Sequence, residues 1–177
     1  MTVTIRRAVA DDAGELAIVA AATFPLACPP HTTEEAKARF VATVLSEERF
    51  AEYVADGERM VLIAHDTDGQ AVGYTMVNFG EPADDDVRAA IRIRPTAELS
   101  KCYVLAGHHG AGIATHLMSA SLEEAAARGA AGMWLGVNEE NARAQRFYAK
   151  HGFERVGAKH FLVGDRMEDD WVMEREL

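Results

Sequence analysis

Residues suited to holding an anion are concentrated in one stretch near the middle of the chain, 98–118. Apolar and β-favouring residues over 99–105 predict a strand. A glycine-containing turn follows at 106–110, and a helical pattern starts near Gly112. Glycines let the backbone approach a ligand, and the first N–H groups of a helix point at it with the positive end of the helix dipole behind them. The stretch therefore predicts a binding turn for an anionic group.

Two common phosphate motifs do not fit this turn. Gly107 and Gly112 have the spacing of a P-loop, but Ile113 stands where a lysine would reach the outer phosphates. A dinucleotide fingerprint would need a third glycine at the position that holds Thr115. The interpretation that remains is a diphosphate held by backbone amides.

The composition predicts one globular domain over 1–177. Apolar residues make up 49% of the chain and charged residues 26%, which excludes a disordered protein. No apolar run approaches the ~20 residues that span a bilayer. The first residues, 1–7, are not followed by an apolar run of signal-peptide length. We therefore expect a cytoplasmic protein without a membrane partner.

Charge and the metal-binding residue types exclude further classes. The formal net charge of −10 argues against nucleic acid, which needs a basic face. The same charge suits a cationic substrate, although many proteins are simply acidic. Cys28 and Cys102 are too few for a disulfide framework. His108, His109 and His116 cluster without a carboxylate or cysteine at ligand spacing, so no metal site is predicted.

Hydrophobic periodicity predicts a mixed, mostly antiparallel sheet with helices on both faces, an α/β fold of the α+β type. The predicted strands are 3–6, 60–64, 71–77, 99–105, 133–137, 153–163 and 171–176. A first helix is predicted from a cap at Asp11 or Asp12 to a stop at Phe24-Pro25. Further helices are predicted after Thr32 or Thr33, over 47–54, after Gly112, and from a cap at Asn138 or Asn141 to a stop at Gly152. The acidic segment 80–96 is predicted to be a loop. Strand–helix–strand order predicts that 99–105 and 133–137 are parallel.

Two motifs resemble those of the GNAT superfamily of acetyltransferases. His109-Gly110-Ala111-Gly112-Ile113-Ala114 resembles the Gln/Arg-x-x-Gly-x-Gly/Ala signature that cradles the pyrophosphate of acetyl-CoA, with His109 in place of Gln or Arg. Asn141-x-x-Ala144-x-x-Phe147-Tyr148-x-x-x-Gly152-Phe153 is similar to the second motif of the family. Segments 134–137, 157–161 and 164–165 further resemble the PaiA group, bacterial acetyltransferases associated with spermidine and spermine.

The resemblance implies a GNAT fold and acetyl-CoA as cosubstrate. The contacts it implies are His109, Gly110, Ala111, Gly112, Ile113, Ala114 and Thr115 around the pyrophosphate, Val104, Leu105 and Asn141 along the pantetheine arm, and Tyr148 near the sulfur. The backbone of Val104 and Leu105 would bond the arm as if it were an added strand.

Acetyl transfer to an amine needs two proton transfers. A primary amine with a pKa of ~10.4 is protonated at neutral pH and cannot attack a thioester, so a base must accept its proton and an acid must protonate the leaving thiolate. Glu98 matches a glutamate that several GNAT enzymes carry and is the candidate base; the alternative is an exposed strand-end carboxylate. Tyr148 matches the family tyrosine and is the candidate acid; the alternative is an aromatic packed beside Phe147. Backbone N–H groups at the end of the 99–105 strand are candidate donors to the thioester oxygen.

The predicted function is an acetyl-CoA-dependent N-acetyltransferase that acts by direct attack within a ternary complex. No cysteine or serine lies in a nucleophile arrangement, which argues against a covalent acetyl-enzyme. The predicted acceptor is a primary amine of a small molecule, with a polyamine as the leading candidate. Two alternatives stay open: an acetyltransferase for protein N-termini or lysines, and a non-catalytic CoA-binding regulatory module. The sequence also leaves a homodimer open.

Overall fold

The computed structural model describes residues 2–108, 112–163 and 165–177. Within these ranges the chain forms seven strands and six helices. The strands are β1 (Thr4–Arg7), β2 (Arg59–His65), β3 (Ala71–Phe79), β4 (Thr96–Val104), β5 (Gly132–Asn138), β6 (Glu154–Val163) and β7 (Arg166–Glu176). The helices are α1 (Ala13–Ala27), α2 (Glu34–Val44), α3 (Glu47–Ala55), α4 (Asp85–Ala90), α5 (Ile113–Ala127) and α6 (Ala142–Lys150).

All seven strands join one sheet in the order β1-β2-β3-β4-β5-β7-β6. The pairings are antiparallel except that between β4 and β5, which is parallel. The parallel pair is the one that the strand–helix–strand order predicted. The predicted mixed, mostly antiparallel sheet with helices on both faces is confirmed.

Each face of the sheet has its own apolar cluster. On the face that we call the α5 face, Ile113, Leu117 and Met118 of α5 pack with strand residues such as Leu99 and Leu135. On the opposite face, the α1 face, α1 and α3 cover the other side of β2 and β3. The buried residues there are Ala13, Leu16, Val19, Ala20, Phe24, Leu45, Phe50, Val61, Ile63, Tyr74 and Met76. Strand residues alternate between the two faces because successive side chains point to opposite sides of a sheet.

The parallel pairing of β4 with β5 is short. It joins Thr96–Glu98 of β4 to Gly132–Trp134 of β5. Past Glu98 and Trp134 the two strands do not pair with each other in the described part of the chain, although both strands continue. A gap between strands therefore opens in the middle of the sheet and runs toward the turn after β4.

Two helix ends differ from the predictions. α1 does not stop at Phe24-Pro25 but continues to Ala27 with Pro25 inside it. A proline this close to a helix end removes a single hydrogen bond, so the helix can tolerate it. Asp12 precedes α1, but its carboxylate does not cap the helix. It accepts from the backbone N–H of Val9 at 2.7 Å and from both Nη atoms of Arg6 at 2.7 and 2.9 Å.

The segment predicted as a loop over 80–96 contains the short helix α4. Asp84 caps it, with its carboxylate accepting from the N–H groups of Asp86 at 2.9 Å and Val87 at 3.1 Å. Val87 is fully buried and packs with Trp134 of β5 and Val172 of β7. The burial of Val87 and the Asp84 cap thus stabilise a helix in a segment whose charged, proline-containing composition suggested a solvent-exposed loop.

Among the described residues, no helix combines the length and the apolar character that crossing a membrane requires.

Candidate active site

A cavity of about 380 Å³ lies on the α1 face where the gap opens. Glu98 and Trp134, the last paired residues of β4 and β5, both border it. Five carboxylates and two basic side chains line this cavity, which gives a formal excess of negative charge. They are Asp56, Glu58, Glu81, Asp84 and Glu98, with Arg59 and Lys159. The cavity can accept a small molecule and favours a cationic one.

Glu98 is held by a chain of polar contacts that crosses three strands. Asn78 of β3 donates from Nδ2 to Glu98 Oε1 at 3.0 Å. Arg59 of β2 donates from Nη1 to Asn78 Oδ1 at 3.1 Å and from Nε to Asp56 Oδ2 at 3.1 Å. These bonds fix the orientation of the Glu98 carboxylate at the cavity wall, as a base for a bound amine requires.

A β-bulge in β4 brings a lysine to the same face. Leu99 pairs with Val77, whereas Lys101 pairs with Met76, so Ser100 is the extra residue. Without the bulge, Glu98 and Lys101 would point to opposite faces. With it, Lys101 shares the α1 face with Met76. The net effect of its surroundings lowers the pKa of Lys101 to about 8: burial is the largest cause, Glu98 opposes it, and Arg59 and Lys159 add to the lowering.

Tyr148 on α6 packs against the apolar cluster of the α5 face. Its ring contacts Phe147 and Phe153 edge-on, with centroids 5.5 and 6.1 Å away. Burial raises the pKa of Tyr148 well above its ordinary value, and the neighbouring Cys102 and Tyr103 of β4 add to the shift. The phenol is therefore protonated at neutral pH and can act as a proton donor. The ring contacts show the packed aromatic that was stated above as the alternative, and the role of proton donor stays a prediction.

The turn predicted to bind the diphosphate is described only in part, since His109, Gly110 and Ala111 lie outside the described residues. Gly112 precedes α5 in the left-handed conformation, with φ +73°, which favours glycine. Ile113 is fully buried, so it could contact a ligand only through its backbone. Ala114 is half-buried, and the exposed Thr115 lies 3.5 Å from His151 Nε2 through its hydroxyl.

The residues predicted to line the pantetheine arm are placed as follows. The N–H of Leu105 donates to Val72 O at 2.8 Å, so it faces β3 rather than the gap. Because neighbouring backbone groups in a strand point to opposite edges, Val104 is the residue whose backbone faces the gap. Asn141 caps α6 through Oδ1, which accepts from Ala144 N–H at 3.1 Å, and its Nδ2 group is the part suited to donate to a ligand.

Sequence reasoning did not identify Lys159 of β6 and Asp170 of β7, two charged residues on the α1 face. The side chain of Lys159 on β6 lies over Gly136, where an added Cβ would come 2.6 Å from Lys159 Cε. The ammonium is 5.9 Å from the ring centroid of Trp134. In the register of β6 and β7, Asp170 lies opposite Lys159. Burial raises the pKa of the Asp170 carboxyl to about 6. A glycine inside a strand pattern was the available signal, since it often marks close approach of another group.

The family assignment follows from comparison with known proteins. The family model described as the acetyltransferase (GNAT) family matches residues 23–153. The chain belongs to the GNAT acetyltransferase family. It is therefore an acetyl-CoA-dependent N-acetyltransferase of the GNAT type. An uncharacterized N-acetyltransferase of Mycobacterium tuberculosis is 50% identical to this GNAT chain over 166 residues, which cover 94% of this chain and 98% of that protein.

Solved structures share the fold of this GNAT enzyme at low sequence identity. The PaiA N-acetyltransferase of Thermoplasma acidophilum, solved in complex with coenzyme A, superposes with a TM-score of 0.79 at 19% identity and covers 100% of both chains. The ribosomal-protein-S18-alanine N-acetyltransferase of Escherichia coli superposes with a TM-score of 0.70 at 18% identity, over 99% of this chain and 94% of that one. At such identities the likeness shows the fold and leaves the acceptor open.

Proposed function

We propose that this GNAT enzyme acetylates a primary amine of a small cationic molecule, with a polyamine such as spermidine or spermine as the leading acceptor. The observation that carries the proposal is the cavity of about 380 Å³ beside Glu98, lined by five carboxylates and two basic side chains. A polyamine carries several ammonium groups, so one amine could lie at Glu98 while the others face the remaining carboxylates.

The gap between β4 and β5 would hold the pantetheine arm. An arm lying in the gap can hydrogen-bond the backbone edge of β4 at Val104 in the manner of an added strand. Asn141 lies at the start of α6 and could donate to the arm from Nδ2. The pyrophosphate would then lie at the N-terminus of α5, close to Gly112, Ile113, Ala114 and Thr115, where helix N–H groups and the helix dipole favour an anion.

The proposed chemistry is direct attack of the acceptor amine on the thioester. Glu98 accepts the ammonium proton, and the neutral amine attacks the carbonyl carbon. Backbone N–H groups at the end of β4 would stabilise the negative charge that develops on the thioester oxygen. The C–S bond then breaks, and Tyr148 donates a proton to the leaving thiolate.

Neither cysteine suits a covalent acetyl-enzyme. Burial raises the pKa of the Cys102 thiol to about 12 and also raises the pKa of the Cys28 thiol. The nucleophilic form of cysteine is the thiolate, and these shifts disfavour it at neutral pH. Because neither thiol is suited to act as a nucleophile, direct transfer within a ternary complex is the proposed route.

The test is thiol release from acetyl-CoA by the purified protein, screened against spermidine, spermine, free amino acids and short peptides. We expect turnover with the polyamines, and a lower KM for spermine than for a monoamine of similar length because the cavity offers several carboxylates. Turnover only with peptides would replace this proposal by protein acetylation. Binding of CoA without turnover on any amine would favour a regulatory module.

A further inference from the structure

Lys101 is a primary amine that belongs to the protein and lies on the same face of the sheet as the proposed acceptor cavity. The bulge at Ser100 places it on the same face of β4 as Glu98, and its Nζ lies 3.5 Å from Ser100 Oγ. The groups that act on its charge come from three elements: Glu98 of β4, Arg59 of β2 and Lys159 of β6. All three also border the cavity, so the Lys101 amine lies on its side of the sheet.

Lys101 is also close to the expected position of the thioester. This step rests on the proposed function, in which the sulfur lies beside Tyr148. The Tyr148 phenol is near Cys102 and Tyr103, the two residues that follow Lys101 on β4. A lysine has a four-carbon stem, and successive Cα atoms are about 3.8 Å apart. The Lys101 side chain is therefore long enough to reach the level of the next residue or two along β4, where the proposed function places the thioester.

The amine of Lys101 is unusually reactive for a lysine. Its pKa is lowered to about 8 by burial and by the nearby cations. At pH 8 roughly half of such a group is neutral, whereas roughly 0.4% of an ordinary lysine with a pKa of ~10.4 is neutral. Only the neutral amine attacks a thioester, so the lowered pKa increases the fraction of Lys101 that can react.

We propose that Lys101 is an internal acetyl acceptor, so that the enzyme acetylates itself when acetyl-CoA is bound and no external amine occupies the cavity. The Lys101 nitrogen attacks the thioester carbonyl carbon, the N–C bond forms and the C–S bond breaks. The proton lost by nitrogen is transferred to the leaving sulfur, directly or through Glu98 and Tyr148. The products are N-acetyl-Lys101 and CoA thiol, and no other reactant is needed.

Acetylation would change the acceptor cavity in two ways. It removes a positive charge that faces Glu98, and it adds an acetyl group beside the carboxylate that the external amine must reach. The added acetyl group obstructs access of the external amine to Glu98, so the modified enzyme is expected to be slower than the unmodified enzyme. An external amine would protect Lys101 because it competes for the same thioester.

The chain suits a direct test because it contains only four lysines, Lys37, Lys101, Lys150 and Lys159. The full-length protein is incubated with acetyl-CoA alone and examined by intact-mass spectrometry and peptide mapping. We expect one acetyl group, located on Lys101. Its rate should rise roughly tenfold between pH 7 and pH 9 and then level off, whereas an ordinary lysine would rise roughly a hundredfold over this range.

Two variants control the experiment. Lys101→Arg keeps the positive charge and should lose the acetyl group at that site. Lys37→Arg, whose lysine pairs with Glu34 on α2 at 3.0 Å, should be acetylated on Lys101 like the wild type. Acetylation spread over Lys37 and Lys150 with no preference for Lys101 would overturn the proposal, as would no acetylation at all. Calorimetry with CoA distinguishes failure of the self-acetylation proposal from failure of the proposed function. CoA binding without acetylation of Lys101 would overturn self-acetylation alone. No CoA binding would overturn the proposed function as well.

Discussion

The two faces of β4 are built from different kinds of residue. On the α5 face, Leu99 and Val104 are buried among apolar side chains. Even the polar pair beneath α5 is satisfied, since the hydroxyls of Thr75 and Ser121 lie 2.8 Å apart. On the α1 face the same strand presents Glu98, which borders the charged cavity, and Lys101.

The two faces also differ in how burial contributes to the free energy of folding. Burying apolar area stabilises the α5 face, at about 25 cal/mol per Å². Burying ionisable groups opposes folding unless partners compensate, and the shifted pKa values of Lys101 and Asp170 record that opposition. Active sites commonly retain such groups at the expense of stability. Substitutions of buried apolar residues on the α5 face should therefore lower stability and leave the chemistry intact. Substitutions of the ionisable residues on the α1 face should change the chemistry or the pH dependence of stability without a comparable loss of stability.

The largest effect is expected for Glu98→Gln. Loss of the base should lower kcat/KM for the acceptor by about 10²–10⁴-fold, the usual contribution of a positioned general base. The unfolding midpoint in urea should change little, because glutamine can still accept from Asn78. Glu52→Gln on the exposed face of α3 is the control and should keep wild-type kinetics. A Glu98→Gln enzyme with nearly normal turnover would mean that another group accepts the proton.

Leu117→Ala tests the α5 face. Leu117 is fully buried in the α5 cluster, so its truncation should cost about 2–5 kcal/mol of unfolding free energy. Ile18→Ala on α1 is the control, because Ile18 is 72% exposed and its loss should stay within about 0.5 kcal/mol. Urea unfolding measures both, and kcat corrected for the folded fraction should stay at the wild-type value. A large change in corrected kcat would show that the α5 face also affects the chemistry.

Asp170→Asn should make the protein more stable at neutral pH. The folded-state pKa of Asp170 is about 6, above the ~3.9 expected when unfolded, so the folded state binds the proton more tightly. Stability from this group therefore falls as pH rises from about 4 to about 6, and the asparagine variant escapes that loss. We expect a gain of about 1–3 kcal/mol at pH 7 and little difference near pH 4, measured by urea unfolding.

Asp169→Asn is the matched control for that measurement. Asp169 is exposed on the same strand, where it pairs with His160 at 2.8 Å. Its substitution should give no comparable stabilisation at pH 7. If Asp170→Asn were destabilising at pH 7, the ionised carboxylate would be contributing favourable contacts, and the comparison of faces would fail at this position.

The smallest of the four effects is expected for Tyr148→Phe. Loss of the phenol should lower kcat about tenfold, equivalent to about 1.4 kcal/mol, because the leaving thiolate loses its proton donor. Phenylalanine keeps the ring contacts with Phe147 and Phe153, so the unfolding free energy should stay close to that of the wild type. Thiol release with spermidine measures the first quantity and urea unfolding the second. Unchanged kcat would leave Tyr148 with a packing role alone.

Local features of the fold could be predicted because they depend on short stretches of sequence. Ile113, Leu117, Ser121 and Ala125 recur every four residues, and all four are buried in α5. Thr33 caps α2, as predicted, with its hydroxyl accepting from Ala36 N–H. The end of α1 was predicted wrongly, since the tertiary packing of this helix outweighs a proline in its last turn. The loop prediction over 80–96 missed α4 because Val87 packs on strands distant in sequence.

The sequence by itself determined the family. Its two motifs lie around one strand–helix–strand unit, and their spacing depends only on the lengths of those elements. The proposed roles of Glu98 and Tyr148 also came from motif positions, and they stay predictions until the variants are measured.

Only the tertiary structure decided which side chains share the α1 face. Glu98 and Lys101 are three residues apart, so in a regular strand their side chains would point to opposite faces of the sheet. The bulge opposite Met76 and Val77 places both on the α1 face. Lys159 reaches Trp134 because Gly136, on a different strand, leaves room for its side chain. Such placements depend on the register between strands far apart in the chain, and no pattern within a single segment encodes that register.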